Sequence, residues 1–328
     1  MRSVITAIAI VMCVSLISDS PLAAQDRVAT IVSAARKALG GEDKIAGLKT
    51  LTAEGPFRRS LGPRDMEGTV SVTIARPDKM KRVEELQIGG MVGGPTIERT
   101  SVLAGTTSWE DSQNRGGIGG GGMRIMIADG PRGGGPGGAA PTPEQQNEAR
   151  VRRMRVQMYR LTAALIVDAG TPWVDAGIAE SPDGKADILE TKEETGRTLR
   201  VFIDQNTHLP LMVQYQDPKP MIMTQGMAGP GGPGRGPGGP GMPPPPGAPG
   251  AGGPPPNPEE IQRRVAEMQR NPPQMGTYAM SLSDYKKVDG IMLPHKIETS
   301  LDGEPNEEWT IEKYKVNPQI KADTWDKK

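Results

Sequence analysis

The sequence predicts a mainly β protein with some helix: a strongly curved antiparallel sheet of about eleven strands wrapped around one or two helices. Three observations carry this. From Tyr278 onward, apolar residues recur at every second position (Tyr278, Met280, Leu282; Ile291, Leu293, Ile297, Leu301; Trp309, Ile311), the period of a strand with one buried face. Asp289-Gly290 and Asp302-Gly303 break that run with the residues that supply positive φ in tight hairpins, so the segment reads as a three-stranded meander extending to Tyr314. Finally, most other ordered segments are also short alternating runs separated by turn residues, and few have helical spacing.

The elements follow in order. Arg2 precedes an apolar run from Val4 to about Ile17, which ends in Ser-Asp-Ser-Pro and Leu22-Ala23-Ala24. A basic start, a short apolar core and small residues before a polar start predict a secretory signal peptide over 1–24 and no membrane span in the mature chain. Cys13, the single cysteine, lies in that core, so the mature chain has no thiol for a disulfide, metal site or nucleophile. Val28, Ile31, Val32, Ala35 and Leu39 then form one face of a helix that Gly40-Gly41 stops. Strands are expected at Leu48–Arg59, around Val70, Val72 and Ile74, and at Met80–Ile88, Thr96–Ala104 and Thr106–Asp111.

Two blocks, 116–143 and 226–258, hold most of the excess among the 43 glycines and 32 prolines. They lack a Gly-X-Y period and enough apolar content to offset ordering entropy, so they are expected to be disordered insertions in a single domain spanning 25–328. Each ends in an N-cap, a proline and a capping-box residue: Thr142-Pro143-Glu144-Gln145 and Asn257-Pro258-Glu259-Glu260. The first predicts a long helix to about Ala169, with Val151, Met154, Met158, Leu161 and Leu165 inward and a basic opposite side (Arg150, Arg152, Arg153, Arg155, Arg160). The second predicts a short helix with Ile261, Val265 and Met268 as its stripe. Four more strands follow the long helix, at Val174–Glu180, Ala186–Lys192, Leu199–Asp204 and Leu209–Tyr215, before the meander.

The run Ala34-Ala35-Arg36-Lys37-Ala38-Leu39-Gly40-Gly41-Glu42-Asp43-Lys44-Ile45-Ala46-Gly47-Leu48-Lys49, with Thr-Leu-Thr-Ala-Glu-Gly after it, resembles secreted bacterial proteins of the outer-membrane lipoprotein-sorting type. So does Asp284-Tyr285-Lys286-Lys287-Val288-Asp289-Gly290-Ile291-Met292-Leu293-Pro294. These are relatives of the periplasmic carrier LolA and its receptor LolB. The resemblance covers the N-terminal helix and most strands but neither Gly/Pro block. It implies an incomplete antiparallel barrel lidded by helices over an apolar cavity, and a periplasmic carrier of acyl chains. No binding residue of the carriers maps onto this chain.

Candidate chemistry is sparse. Lys and Arg number 39 against 39 Asp and Glu, which argues against nucleic acid as a partner. His208 and His295 are the two histidines; His295 is in phase with Leu293 and Ile297, yet no spaced His/Asp/Glu cluster accompanies it. The acid pairs Glu84-Glu85, Glu193-Glu194 and Glu307-Glu308 are read as solvated. Gly119–Gly122 lacks the Gly-Lys-Ser/Thr of a phosphate loop, and no Gly-x-Ser-x-Gly elbow is present. Methionines (18 in all) cluster at Met123 and Met126 and at Met221, Met223 and Met227; thioethers bind Cu(I), but no histidine lies near either cluster. The expectation is therefore a non-enzyme without cofactor or metal.

The residues expected to face an apolar cavity are Val70, Val72, Ile74, Leu199, Val201, Ile203, Leu211, Val213, Ile291, Leu293 and Trp309 from the sheet, under Met154, Met158, Leu161 and Leu165 from the long helix. Two functions fit: a periplasmic binding protein for lipoprotein acyl chains or another apolar ligand, and an envelope interaction or scaffold protein with a packed core and Gly/Pro spacers. Cavity volume separates them.

Overall fold

The computed structural model describes residues 21–61, 64–87, 96–115, 126–128, 142–165, 170–182, 184–223 and 274–327. The expected helix around Ile261 and most of both Gly/Pro blocks lie outside them, as does the expected leader up to residue 20. Two compact units divide the chain. The first comprises Met1–Gly117, Thr142–Asp217 and Met275–Lys328, the second Ile118–Pro141 and Pro218–Gln274.

In the first unit, α1 (Pro21–Leu39) and α2 (Glu42–Ala46) precede β1 (Thr50–Leu61), β2 (Arg64–Ala75), β3 (Lys79–Gln87), β4 (Thr96–Ala104) and β5 (Thr107–Arg115). In the second unit, β6 (Met126–Ala128) lies within the first Gly/Pro block. Next come α3 (Pro143–Ala163), β7 (Val174–Ser181), β8 (Gly184–Lys192), β9 (Thr198–Asp204) and β10 (Pro210–Pro218). After β11 (Met221–Met223), which also belongs to the second unit, the chain closes with β12 (Met275–Val288), β13 (Ile291–Leu301), β14 (Glu304–Thr310), β15 (Lys313–Val316) and a 3-10 turn, Ala322–Trp325.

The main sheet has 13 strands in the order β5-β4-β3-β2-β1-β14-β13-β12-β10-β9-β8-β7, with β15 beside β1. It is antiparallel, curved and not closed into a barrel. Both Asp-Gly turns form as expected: φ is 50° and 86° at Asp289 and Gly290, 52° and 88° at Asp302 and Gly303. The last run is two strands rather than one, because β1 changes partner along its length. Leu51–Glu54 pair with β15, and Phe57–Arg59 pair with β14. Gly55 sits at the change, where a Cβ would meet the Thr310 carbonyl at 2.0 Å. In the second unit, Met221 to Met223 pair antiparallel with Met126 to Ala128, so part of the first Gly/Pro block is strand rather than disordered.

One apolar core cluster joins α1, α2 and the end of α3 to β8, β9, β10, β12 and β13, with Leu39, Ile45, Leu189, Leu199, Val201, Val213 and Leu293 fully buried. A second lies under the middle of α3, where Val151, Met154 and Met158 meet Val70, Val72, Ile74, Met80, Leu103, Trp309 and Ile311. The capping box of α3 forms as expected, with the Thr142 hydroxyl accepting from Gln145 N–H and the Gln145 side chain accepting from Thr142 N–H.

Two assignments of facing need correction, one inward and one outward. Leu211 is 41% exposed, because β10 shifts register against β9 between Pro210 and Met212. The extra residue lets Pro210 and Val213 both face inward and turns Leu211 out. Arg160, read as part of the exposed basic side of the long helix, is 8% exposed.

Candidate functional site

At the seam between the two core clusters lies an apolar cavity of about 40 Å³. The sheet supplies Leu51 and Ala53 of β1, Val72 and Ile74 of β2, Met280 and Leu282 of β12, Leu293, Pro294 and Ile297 of β13, Trp309 of β14 and Tyr314 of β15. Leu161, Ala164 and Leu165 close it from the end of α3. The wall exists because period-2 alternation puts one side chain in two from each strand on the covered face, while the helical three-and-four spacing carries Leu161 and Leu165 over them.

Of the residues expected at a cavity, Val72, Ile74, Leu161, Leu165, Leu293 and Trp309 line this one. Val70, Met154 and Met158 are buried in the second cluster, and Leu199, Val201, Ile203, Val213 and Ile291 in the first. Leu211 faces solvent. Sequence reasoning missed Leu51, Ala53, Ala164, Met280, Leu282, Pro294, Ile297 and Tyr314 as wall residues. Met280, Leu282 and Ile297 carried the alternation signal, but nothing local marked them as lining space rather than filling it.

Polar groups around the seam are few. The Tyr314 hydroxyl donates to the Pro294 carbonyl at 2.7 Å, and burial pushes its pKa up. The Tyr285 hydroxyl donates to the Pro210 carbonyl at 2.7 Å and is shifted the same way by burial. His295 Nδ1 lies 2.7 Å from the Ile311 carbonyl, and its ring meets Tyr314 edge-on with centroids 5.2 Å apart. His295 Nε2 and the Trp309 indole nitrogen are buried without a protein partner.

Beside the helix end stands a charged assembly. The Arg160 guanidinium grips Glu193 with two bonds, Nε to Oε1 at 2.6 Å and Nη2 to Oε2 at 3.0 Å, and reaches Asp217 at 2.6 Å. It lies 3.8 Å over the ring of Tyr215, which stacks on Tyr278 at 5.3 Å, and Arg197 also pairs with Asp217. Burial alone would lower the Arg160 pKa. The Glu193 hydrogen bond and the Asp217 and Glu193 charges outweigh it, raising it above the usual arginine value.

The acid pairs are correspondingly not all solvated. Glu193 is 4% exposed on Arg160, and Glu84 is 4% exposed with Oε1 accepting from Arg82 at 2.6 Å and Arg59 at 3.1 Å. Glu307 accepts from Arg59 at 2.8 Å. Burial would raise the Glu84 pKa, yet Arg82, Arg59 and Arg99 together hold it down to about 2. These groups are matched ion pairs, an arrangement that fixes structure rather than supplying a free acid or base. Among the described residues, no three His, Cys, Asp or Glu side chains are grouped to hold a metal. No described helix is long and apolar enough to cross a membrane.

The sequence matches no protein-family model and none of the curated proteins. Solved structures align along most of the chain. An outer membrane lipoprotein-sorting protein domain from Vibrio parahaemolyticus aligns at 9% identity and TM-score 0.42, over 90% of this chain and 94% of that one. A DUF1329 family protein from Desulfovibrio piger aligns at 10% identity and TM-score 0.41, covering 91% and 97%. A LolA superfamily protein from Nitrosomonas europaea gives 8% identity and TM-score 0.41, also covering 91% and 97%. At these scores and identities the likeness bears on neither ligand nor activity.

Proposed function

We propose that this protein is an exported, non-catalytic binding protein of the envelope that takes an apolar chain into the seam under α3, as a lipoprotein carrier does. The observation that carries the reading is the cavity itself: an apolar space walled by six strands of the sheet and shut by the last turn of one helix. The leader expected over 1–24 and the resemblance of the Ala34–Lys49 and Asp284–Pro294 segments to lipoprotein-sorting proteins agree with it. At about 40 Å³ the cavity is far below the ~300–1,000 Å³ of a small-molecule site. A chain therefore enters only as Leu161, Ala164 and Leu165 withdraw.

The same small volume favours a second reading, an envelope scaffold whose core is simply well filled. A fluorescent fatty-acid probe separates the two. Wild type should bind it, and Leu161→Trp, which fills the space from the helix side, should weaken binding by about tenfold while leaving the melting temperature unchanged or higher. No probe binding by wild type overturns the carrier reading and leaves the scaffold.

A further inference from the structure

Two buried polar atoms beside the cavity lack a protein partner, and they have opposite character. The Trp309 indole nitrogen is a donor and nothing else. The His295 Nδ1 faces a carbonyl, which only accepts, so that nitrogen carries the proton; Nε2 of the neutral ring is then an acceptor. An unpaired buried donor and an unpaired buried acceptor each carry a desolvation cost.

Their residues are diagonal neighbours on adjacent strands. Trp309 pairs with Ile297 across β13 and β14, and both line the cavity. His295 lies two residues from Ile297 on β13, hence on the same face and diagonal to Trp309. Its ring rests on Tyr314, another wall residue. The rest of the wall is almost wholly apolar, and the Tyr314 hydroxyl already donates to the Pro294 carbonyl.

We propose that Trp309 and His295 form the head-group end of the site, selecting an unbranched aliphatic chain that ends in a hydroxyl-bearing group, an alcohol or an un-ionised carboxylic acid. The head oxygen accepts from the Trp309 N–H and its hydroxyl donates to His295 Nε2. A cavity of about 40 Å³ holds such a head, while the chain runs out beneath the end of α3. This assignment rests on the carrier reading above and adds the ligand class to it. An ionised carboxylate satisfies only the indole and leaves the imidazole nitrogen unpaired, so it is the poorer ligand. An ether or a plain hydrocarbon leaves one or both unpaired.

The test uses diphenylhexatriene, a hydrocarbon probe with no head group, displaced from the full-length mature protein by dodecanol, dodecyl methyl ether or dodecane. Dodecanol should displace it at about tenfold lower concentration than the ether, the worth of one buried hydrogen bond. His295→Phe, which removes the acceptor that only the alcohol can satisfy, should abolish that preference while still binding probe and ether, which shows in the same assay that the variant is folded. Equal displacement by alcohol and ether from wild type overturns the head-group assignment and leaves the carrier reading standing, with water satisfying the two atoms. Failure of wild type to bind probe or any of the three compounds overturns both.

Discussion

Helices α1 and α3 cover the same sheet by different means. The apolar stripe of α1, Ile31, Ala35 and Leu39, sinks into the first core cluster, and its long-range ion pairs sit at the rim, where Arg27 meets Asp175 at 2.8 Å and Asp187 at 2.9 Å with its side chain 35% exposed. The face of α3 is mixed, and polar anchors tie both of its ends. At the start, the Asn147 side chain accepts from Ser108 N–H and donates to the Thr106 carbonyl, each at 3.0 Å, and at mid-helix Arg153 pairs with Glu110. At the finish, Arg160 is locked into Glu193 and Asp217. Burial that spreads over a whole face is lost only when the helix leaves. Anchors at the ends are lost one at a time, and the anchor beside the cavity is the later one. The contrast predicts that α3, rather than α1, is the cover that lifts locally.

The largest effect should come from breaking that anchor. Arg160→Met leaves Glu193 buried and unpaired and should cost about 3–5 kcal/mol in chemical unfolding. It should also speed uptake of the fatty-acid probe if protein survives at low temperature. A loss below about 1 kcal/mol would mean that the anchor is not a structural constraint.

Acid should act next, on the half of the sheet that α3 spans. Arg153 on α3 meets Glu110, Glu110 meets Arg99, and the Arg99 charge helps hold Glu84 low. The folded pKa of Glu84, about 2, lies below the ordinary 4.5. The sign follows: its contribution is complete above about 4.5 and is lost as pH falls toward 2, a change on the order of 3 kcal/mol. Urea midpoints measured down that range should drop steeply for wild type, and Glu84→Gln should start lower and flatten that part of the curve. An equal slope in both proteins would assign the acid sensitivity elsewhere.

The smallest effect belongs to the rim of α1. Arg27→Ala, removing a partly exposed pair, should cost about 1 kcal/mol or less and leave probe uptake unchanged. If it rivalled Arg160→Met, the two helices would not differ as their contacts suggest.

What was legible in the sequence was what is local. The hairpins at Asp289-Gly290 and Asp302-Gly303, the cap at Thr142 and the bounds of Thr96–Ala104 each depend on a few neighbouring residues, and all formed where expected. Illegible features depend on pairing across the chain. Leu211 turns out because of a register shift against β9, and the split of the last strand answers to Gly55, some 250 residues earlier. Arg160 read as exposed beside its basic neighbours until Glu193 and Asp217 came into reach. Eight wall residues of the cavity escaped notice because volume is set by how side chains from separate elements mesh, not by any one period.

The open edge at β7 has a consequence for behaviour in concentrated solution. A free strand edge is a template on which another chain can add, and β7 shows Val174 62% and Ile178 41% exposed. Its ladder, however, breaks between Asp175 and Ile178, with Gly177 at φ 97° and its N–H turned onto the Asp175 carboxylate at 2.9 Å. The rim therefore offers an incoming strand only short, mismatched stretches of backbone. A sheet left unclosed here carries a kink at its rim, a geometry that disfavours edge-to-edge addition of another strand while sparing the curvature of the covered face.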